Sequence, residues 1–234
     1  LADAQEKGYA ERNPSADIEG HDTCRKIAIL SSLAYGRHID SNDIPTEGIT
    51  KITLKDVEYA ESAGYSIKLI GRSIITDEGK VYAKVSPLMI PKGHALAEVE
   101  DVFNAILVNG SATGDVMFYG KGAGKMPTAS AVVADIIDIV KHKGYGAPFW
   151  DKGGVLTAEN PNPVRYYIRA GFSDNQRLES AVNAVFGKVK TIDSTENEIA
   201  FITPKENEHT ILDKIEKFKT IVGGDNIKSV IEVL

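Results

Sequence analysis

The sequence predicts an α+β protein: a mostly antiparallel sheet with helices on one face, followed by a ferredoxin-like βαββαβ module. Three observations carry this reading. Two strand–turn–strand patterns occupy residues 65–90 and 104–119, and helical patterns with glycine stops lie on either side of them. Beyond Asn160-Pro161-Asn162-Pro163 the pattern alternates strand, helix, strand, strand, helix, strand.

Taken in order, residues 2–8 read as the tail of a helix ended by Gly8. A helix from Thr23 to Tyr35 stops at Gly36. Thr53 followed three residues later by Asp56 has capping-box spacing and opens a helix that stops at Gly64. Tyr65 to Ile75 alternates as a strand, Asp77-Glu78-Gly79 turns the chain, and Val81 to Ile90 returns as the hairpin partner. Asn104 to Val108 pairs with Asp115 to Tyr119 across Gly110–Gly114. A helix runs from Pro127 to Lys141, with proline in the first turn, where a missing amide costs no hydrogen bond. Glycine and proline then break the pattern from Gly144 to Pro163. This places a first domain at 1–150, a linker at 151–163 and a second domain at 164–234. In the second domain strands at Val164–Phe172, Val189–Asp193, Glu198–Thr203 and Lys228–Val233 interleave with helices at Gln176–Phe186 and His209–Phe218.

Composition excludes several function classes. Hydrophobic content of 42% with 26% charged residues is that of a globular protein. A net charge of -6 argues against a nucleic-acid surface, which shows a basic face. The single cysteine, Cys24, forms no internal disulfide and reads as packing within a helix. The histidines, at 21, 38, 94, 142 and 209, have no metal-ligand spacing, so no metal is expected. No G-x-S-x-G elbow supports a serine hydrolase. No apolar run approaches the roughly 20 residues of a membrane span and no segment reads as a signal peptide, so the expected location is cytoplasmic.

Two segments concentrate chemistry. Glu11, Asp17, Glu19 and Asp22 precede Lys26. On a helix, Asp22 and Lys26 at (i, i+4) have Cβ atoms about 5–6 Å apart on one face. The apolar run Ile27-Ala28-Ile29-Leu30 is expected to bury the helix just beyond them. A lysine among acids at a buried helix end suits proton transfer; on spacing alone a surface salt bridge on an amphipathic helix is the favoured reading. The second segment is the G-x-G-x-G run of Gly120, Gly122 and Gly124. It follows a strand and precedes a helix, so bare amides there suit a phosphate or the polar edge of a nucleotide, while a structural turn remains the alternative. It is neither a Walker A loop, since Lys125 is followed by Met126, nor a Rossmann fingerprint.

The string Ala4-Gln5-x-x-Gly8-Tyr9-Ala10-Glu11-x-Asn13-Pro14-x-x-Asp17-x-x-Gly20-x-Asp22-x-x-x-Lys26-x-x-Ile29-Leu30 resembles the signature of homoserine dehydrogenases. Gly120-Lys121-Gly122-Ala123-Gly124-x-x-Pro127-Thr128-Ala129-Ser130-Ala131-Val132-Val133-x-Asp135 resembles that family's glycine-rich segment. His94-Ala95-Leu96-Ala97 and Asn104-Ala105 are similar to two shorter landmarks, the first usually written with proline in place of Ala95. The resemblance covers residues 1 to about 150.

It implies an oxidoreductase interconverting L-homoserine and L-aspartate 4-semialdehyde with NADP or NAD, in threonine, methionine and isoleucine biosynthesis, and a homodimer. It assigns proton transfer to Lys26, substrate holding to Asp22 and the substrate's α-ammonium to Glu11. Asp17 joins the acidic pocket, and Gly120, Gly122 and Gly124 contact the cofactor. It also implies a nucleotide-binding domain upstream of Leu1, so the chain reads as a fragment, inactive alone. After such a catalytic region, the βαββαβ module resembles an ACT domain, a sensor of amino acids. Asp174 stands where an acid is usual, but Asn175-Gln176-Arg177 follows it in place of the Pro-Gly turn, which favours a scaffold over an effector site. The competing class is a non-catalytic dimerisation and amino-acid-sensing module.

Overall fold

The computed structural model describes residues 13–122, 124–142, 151, 153, 156–171, 175–195 and 197–234. The expected helix at residues 2–8, together with Glu11 and Asp174, lies outside them. The chain divides into two compact units, one of Leu1–Pro14 with Gly93–Phe149 and one of Ser15–Lys92 with Trp150–Leu234.

The larger unit begins with the single-turn helix α1 (Ser15–Ile18) and continues through α2 (His21–Tyr35), α3 (Leu54–Ser62), β1 (Tyr65–Ile75) and β2 (Val81–Pro91). It resumes with β5 (Arg165–Gly171), α5 (Asn175–Phe186), β6 (Lys190–Ser194), β7 (Glu198–Ile202), α6 (Glu208–Val222) and β8 (Ile227–Val233). The capping box forms as its spacing predicts. Thr53 Oγ1 accepts from the Asp56 amide, and Asp56 Oδ2 accepts from the Thr53 amide at 3.0 Å and its hydroxyl at 2.7 Å. β1 and β2 close around the predicted turn, where Gly79 takes φ 74° and donates to Thr76 O at 2.8 Å.

The strands form one sheet, ordered β1-β2-β8-β5-β7-β6. The last four have the ferredoxin-like order, and each neighbouring pair among them is antiparallel. The expected division at 151–163 does not separate two sheets, however. β2 pairs in parallel with β8 through Leu88↔Glu232 and Met89↔Val233, so residues far apart in sequence share one ladder. Described residues of the expected linker are likewise tied down: Asp151 bonds Gly36 and His38, and the Thr157 amide donates to Val81 O at 2.9 Å.

Each part carries its helices on one face, as expected, and the continuity of the sheet places the two sets on opposite faces. On the first face α2 covers Val81, Ala83 and Val85, while Ala60 of α3 joins Met89, Tyr167, Ala200, Ile202, Ile231 and Val233. On the opposite face α5 and α6 bury Tyr166, Ile168, Ala170 and Ile199, with Phe186, Phe201 and Phe218 packed tilted or edge-on at centroid distances of 5.4–6.0 Å. The alternation of Tyr166, Tyr167 and Ile168 between the two faces is the period-2 pattern of a strand buried on both sides.

Asp56 joins α3 to the ferredoxin-like part. It is fully buried, its Oδ1 accepts from Tyr167 Oη at 3.3 Å, and Arg169 Nε lies 3.1 Å away. That Nε misses hydrogen-bond geometry, so the contact is Coulombic; Arg169 Nη2 donates instead to Thr53 Oγ1 at 3.2 Å. Burial, then the Asp56 charge, pushes the Tyr167 phenol well above its ordinary range, which keeps it a donor.

The smaller unit contains the hairpin β3 (Phe103–Gly110) and β4 (Gly114–Lys121), followed by α4 (Lys125–Lys141). The hairpin is a separate two-stranded sheet, with Phe103 and Tyr119 stacked at 4.8 Å. Many of its apolar side chains are exposed, including Val116, Phe118 and Tyr119, as are Val132, Val133, Ile136 and Ile139 of α4.

Removing one partner of a buried ion pair leaves the other charge unpaired, at a cost of about 3–5 kcal/mol. Asp56→Ala is therefore expected to lower unfolding stability on that scale in urea titration, with Asp56→Asn losing less. A loss below about 1 kcal/mol for Asp56→Ala would show that Arg169 finds other compensation.

Candidate active site

The acidic segment ahead of α2 is compact. The Glu19 amide donates to Ser15 O at 3.0 Å and the Gly20 amide to Asp17 O at 3.1 Å, closing a turn that leaves the Asp17 and Glu19 side chains exposed. Gly20, at φ 81°, then turns the chain into α2. A Cβ there would meet Thr46 Cγ2 and Val85 Cγ1 at 3.2 Å, so both backbone conformation and space call for glycine.

Asp22 lies in the first turn of α2, where a carboxylate opposes the positive end of the helix dipole. Lys26 stands one turn later, with Nζ 2.6 Å from Asp22 Oδ2. The two sequence-predicted residues are brought together, and the pair faces solvent: the Lys26 side chain is 63% exposed and that of Asp22 42%.

The expected burial by Ile27-Ala28-Ile29-Leu30 is corrected by helical periodicity. The buried stripe is Cys24, Ala28, Ser31 and Ser32. Ser31 and Ser32 hydroxyls donate to the carbonyls of Ile27 and Ala28 at 2.6 and 2.7 Å, and Cys24 Sγ donates to Ser41 O at 3.2 Å, which is a packing role. Ile29 and Leu33 are more than half exposed. With Asp22 and Lys26 they follow i, i+4, i+7, i+11 spacing, so the ion pair continues into an open apolar stripe.

Gly71, which sequence reasoning passed over, sets how closely α2 lies on the sheet. A Cβ at Gly71 would sit 3.1 Å from Thr23 Cγ2 and Ile27 Cβ, the residues that directly follow Asp22 and Lys26. An isolated glycine inside an alternating strand was the available signal, since it marks close backbone approach.

The glycine run lies in the smaller unit. Gly120, the penultimate residue of β4, has no heavy atom within 4 Å of a Cβ position. Gly122 is different: the Asn104 side chain occupies the space where its Cβ would stand, and its amide approaches Val102 O at 3.3 Å. Gly124 caps α4 at φ 115° with no side-chain cap bond. All three are exposed; Gly120 lies in the β3–β4 ladder opposite Asn104, and only Gly122 has its Cβ space filled, by Asn104.

Because β1 backbone and the Cβ atoms of α2 bound the space over Gly71, Gly71→Val is expected to cost roughly 1–3 kcal/mol, as overpacking does. Denaturant unfolding checks this; an unchanged midpoint would mean that α2 is free to lift from β1.

Comparison with known proteins follows the same residues. A family model described as homoserine dehydrogenase matches residues 1–137. Homoserine dehydrogenases of Mycobacterium bovis and Bacillus subtilis are 41% identical over 196 residues and 42% over 197, covering 80% of this chain and 44% of theirs. The chain therefore spans less than half the length of these curated relatives. Among solved structures, the Thiobacillus denitrificans homoserine dehydrogenase superposes with a TM-score of 0.83 at 31% identity, over all of this chain and 57% of that one. The S. aureus enzyme at pH 6.0 gives 0.80 at 33% identity, over all of this chain and 58% of that one. From the signature around Lys26 through the shared fold, the chain belongs to the homoserine dehydrogenase family.

Proposed function

We propose that this chain forms the substrate-binding and assembly part of an NAD- or NADP-dependent dehydrogenase that interconverts L-homoserine and L-aspartate 4-semialdehyde. The observation that supports this reading most is the solvent-open Asp22–Lys26 pair at 2.6 Å on a helix fixed to the sheet beneath it. An exposed ion pair contributes at most about 1 kcal/mol to folding, so stability gives little reason for it.

A bound nicotinamide would supply hydride transfer to and from substrate C4. The chain's own residues handle the proton and the zwitterion. In the reducing direction the Lys26 ammonium gives a proton to the C4 oxygen as the aldehyde becomes an alcohol. In the oxidising direction the neutral amine takes it back. Asp22 holds the substrate beside Lys26, and Asp17 extends the acidic wall. Glu11 binds the α-ammonium in this scheme. Acids suit that ammonium, since charge-assisted hydrogen bonds contribute about 1.5–3 kcal/mol each.

The glycine run fits a nucleotide in part. Gly120 is open, Gly124 leaves the start of α4 without a side-chain cap, and Lys125 adds positive charge there. These features suit a phosphate or the polar edge of a nicotinamide nucleotide. We assign most of the cofactor's binding, and the choice between NAD and NADP, to residues outside this chain. On this reading the chain alone does not turn over, and its place is in threonine, methionine and isoleucine biosynthesis in the cytoplasm. No described helix is long and apolar enough to cross a membrane. The exposed apolar residues of the β3–β4 hairpin support a homodimer.

For the ferredoxin-like part we favour a scaffold over an amino-acid sensor. The ladder from β2 to β8 and the buried Asp56–Arg169 pair support a structural role. The alternative, a non-catalytic dimerisation and ACT-like sensing module, draws support from the strand order. Calorimetric titration with threonine, methionine and isoleucine separates the two. No binding at tens of micromolar, roughly −6 kcal/mol, is expected; binding by any of the three would favour the sensor.

In the complete enzyme, Lys26→Ala is expected to lower kcat by about 10²–10⁴-fold with the fold intact. Asp22→Asn and Glu11→Gln are expected to raise the KM for homoserine more than that for the cofactor. Steady-state kinetics with both substrates varied is the check. A near-normal kcat for Lys26→Ala would return the pair to a surface salt bridge.

A further inference from the structure

The segment Pro45–Ile52 lies against the acidic turn without belonging to either family motif. Its contacts are with backbone. The Ile49 amide donates to Ile18 O at 2.7 Å, the Glu47 amide donates to Val85 O at 2.8 Å, and the Val85 amide donates to Pro45 O at 2.9 Å. The loop is therefore tied on one side to β2 and on the other to α1, the single turn that holds Asp17. Between these bonds sits Gly48. A Cβ built on it would collide with the Ile18 carbonyl oxygen and with the Cα and carbonyl carbon of Glu19. Those atoms are backbone and cannot swing aside as a flexible side chain can. The φ of Gly48 lies outside the left-handed range, so space and not conformation demands glycine. On the other flank of the same turn, Thr46 Cγ2 bounds the site of Gly20. A shallow groove beside the turn is lined by Glu19, Thr46, Glu47, Gly48, Thr50 and Lys51.

We propose that Gly48 is a positioning residue for the dehydrogenase: by allowing backbone contact with Ile18 and Glu19, it sets where the Asp17 carboxylate meets the substrate's charged groups. The proposal rests on the assignment of Asp17 to the substrate pocket. Gly48 itself touches no reacting atom. Its effect passes through the turn Ser15–Gly20, which begins at Ser15 and ends at the Gly20 cap of α2. A side chain at 48 displaces this turn away from β2, while Asp22 and Lys26, seated over Gly71, keep their places on α2. Substrate affinity is lost and the proton-transfer step is retained.

The test uses the complete enzyme and four variants: Gly48→Ala, Thr46→Ile (which crowds the same turn from the Gly20 side), Asp17→Asn, and the double variant Gly48→Ala/Asp17→Asn. Gly224→Ala serves as control, since nothing lies within 4 Å of a Cβ there and its φ is ordinary. The KM for homoserine should rise roughly tenfold or more in Gly48→Ala, the scale of one charge-assisted hydrogen bond lost, with kcat and cofactor KM little changed. Thr46→Ile should move the same parameter in the same direction. In the double variant the two effects should fail to add, because Gly48 acts through Asp17. A raised KM in Asp17→Asn with an unchanged one in folded Gly48→Ala overturns the positioning role alone. An unchanged KM in Asp17→Asn shows instead that the assignment of Asp17 is in error. Loss of the cooperative melting transition in both Gly48→Ala and Thr46→Ile, or equal falls in kcat and rises in KM, overturns the proposal in favour of a purely structural contact.

Discussion

Strand β2 must be covered on both faces and both edges, and most of the larger unit follows from that constraint. Nearly every residue from Val81 to Ile90 is buried. Val81, Ala83 and Val85 demand an apolar cover on one side, which Cys24, Ala28, Ile39 and Ile44 supply. Leu88 and Ile90 are buried on the other. One edge takes β1 along its full length and the other takes the end of β8. A strand so enclosed has no freedom to tilt, and the helix seated on it inherits that rigidity. Under the proposed role of Lys26, proton transfer needs atoms held within hydrogen-bond reach of a substrate, so that role would depend on the placement of β2.

The charged pairs divide by environment. Arg72 donates to Glu232 at 2.6 Å with both side chains largely buried, and Asp56 meets Arg169 with almost no exposure. Lys84 stands 3.5 Å from both Glu208 and Glu232. These groups link β1, β2 and α3 to β5, β8 and the start of α6, and breaking one leaves a charge in low dielectric. Tyr59 extends this linkage: it donates to Glu198 at 2.9 Å, and its phenol is pushed up to about 12 by burial and then by that bond. The Asp22–Lys26 pair lies outside this linkage. Water screens it, its loss costs the fold little, and its groups remain available to a ligand.

Local chemistry was legible in the sequence; long-range pairing was not. Thr53 and Asp56 announce their capping box because its parts lie three residues apart. The Asp77–Gly79 turn and the βαββαβ order are equally local, and so are the spacing of Asp22 with Lys26 and the position of the glycine run between β4 and α4. The second role of Asp56 is invisible, since Arg169 is distant in sequence and nothing near it marks a partner. The junction of β2 with β8 rests on two residue pairs, too few to leave a periodic trace. The run Ile27–Leu30 misled because four consecutive apolar residues span more than one turn of helix. Periodicity of 3.6 selects Cys24, Ala28 and the small serines for burial and turns Ile29 outward. Gly48 left no mark because its neighbours, Ile18 and Glu19, approach it from another segment.

A crystal structure of the complete enzyme with homoserine and nicotinamide cofactor tests the central claim, that the Asp22–Lys26 pair is the proton-transfer apparatus and not a surface salt bridge. The account predicts Lys26 Nζ within about 2.6–3.2 Å of the substrate's C4 oxygen, with the Asp22 carboxylate engaged on the same molecule. Homoserine bound elsewhere, with Lys26 still paired only to Asp22 in solvent, would contradict it.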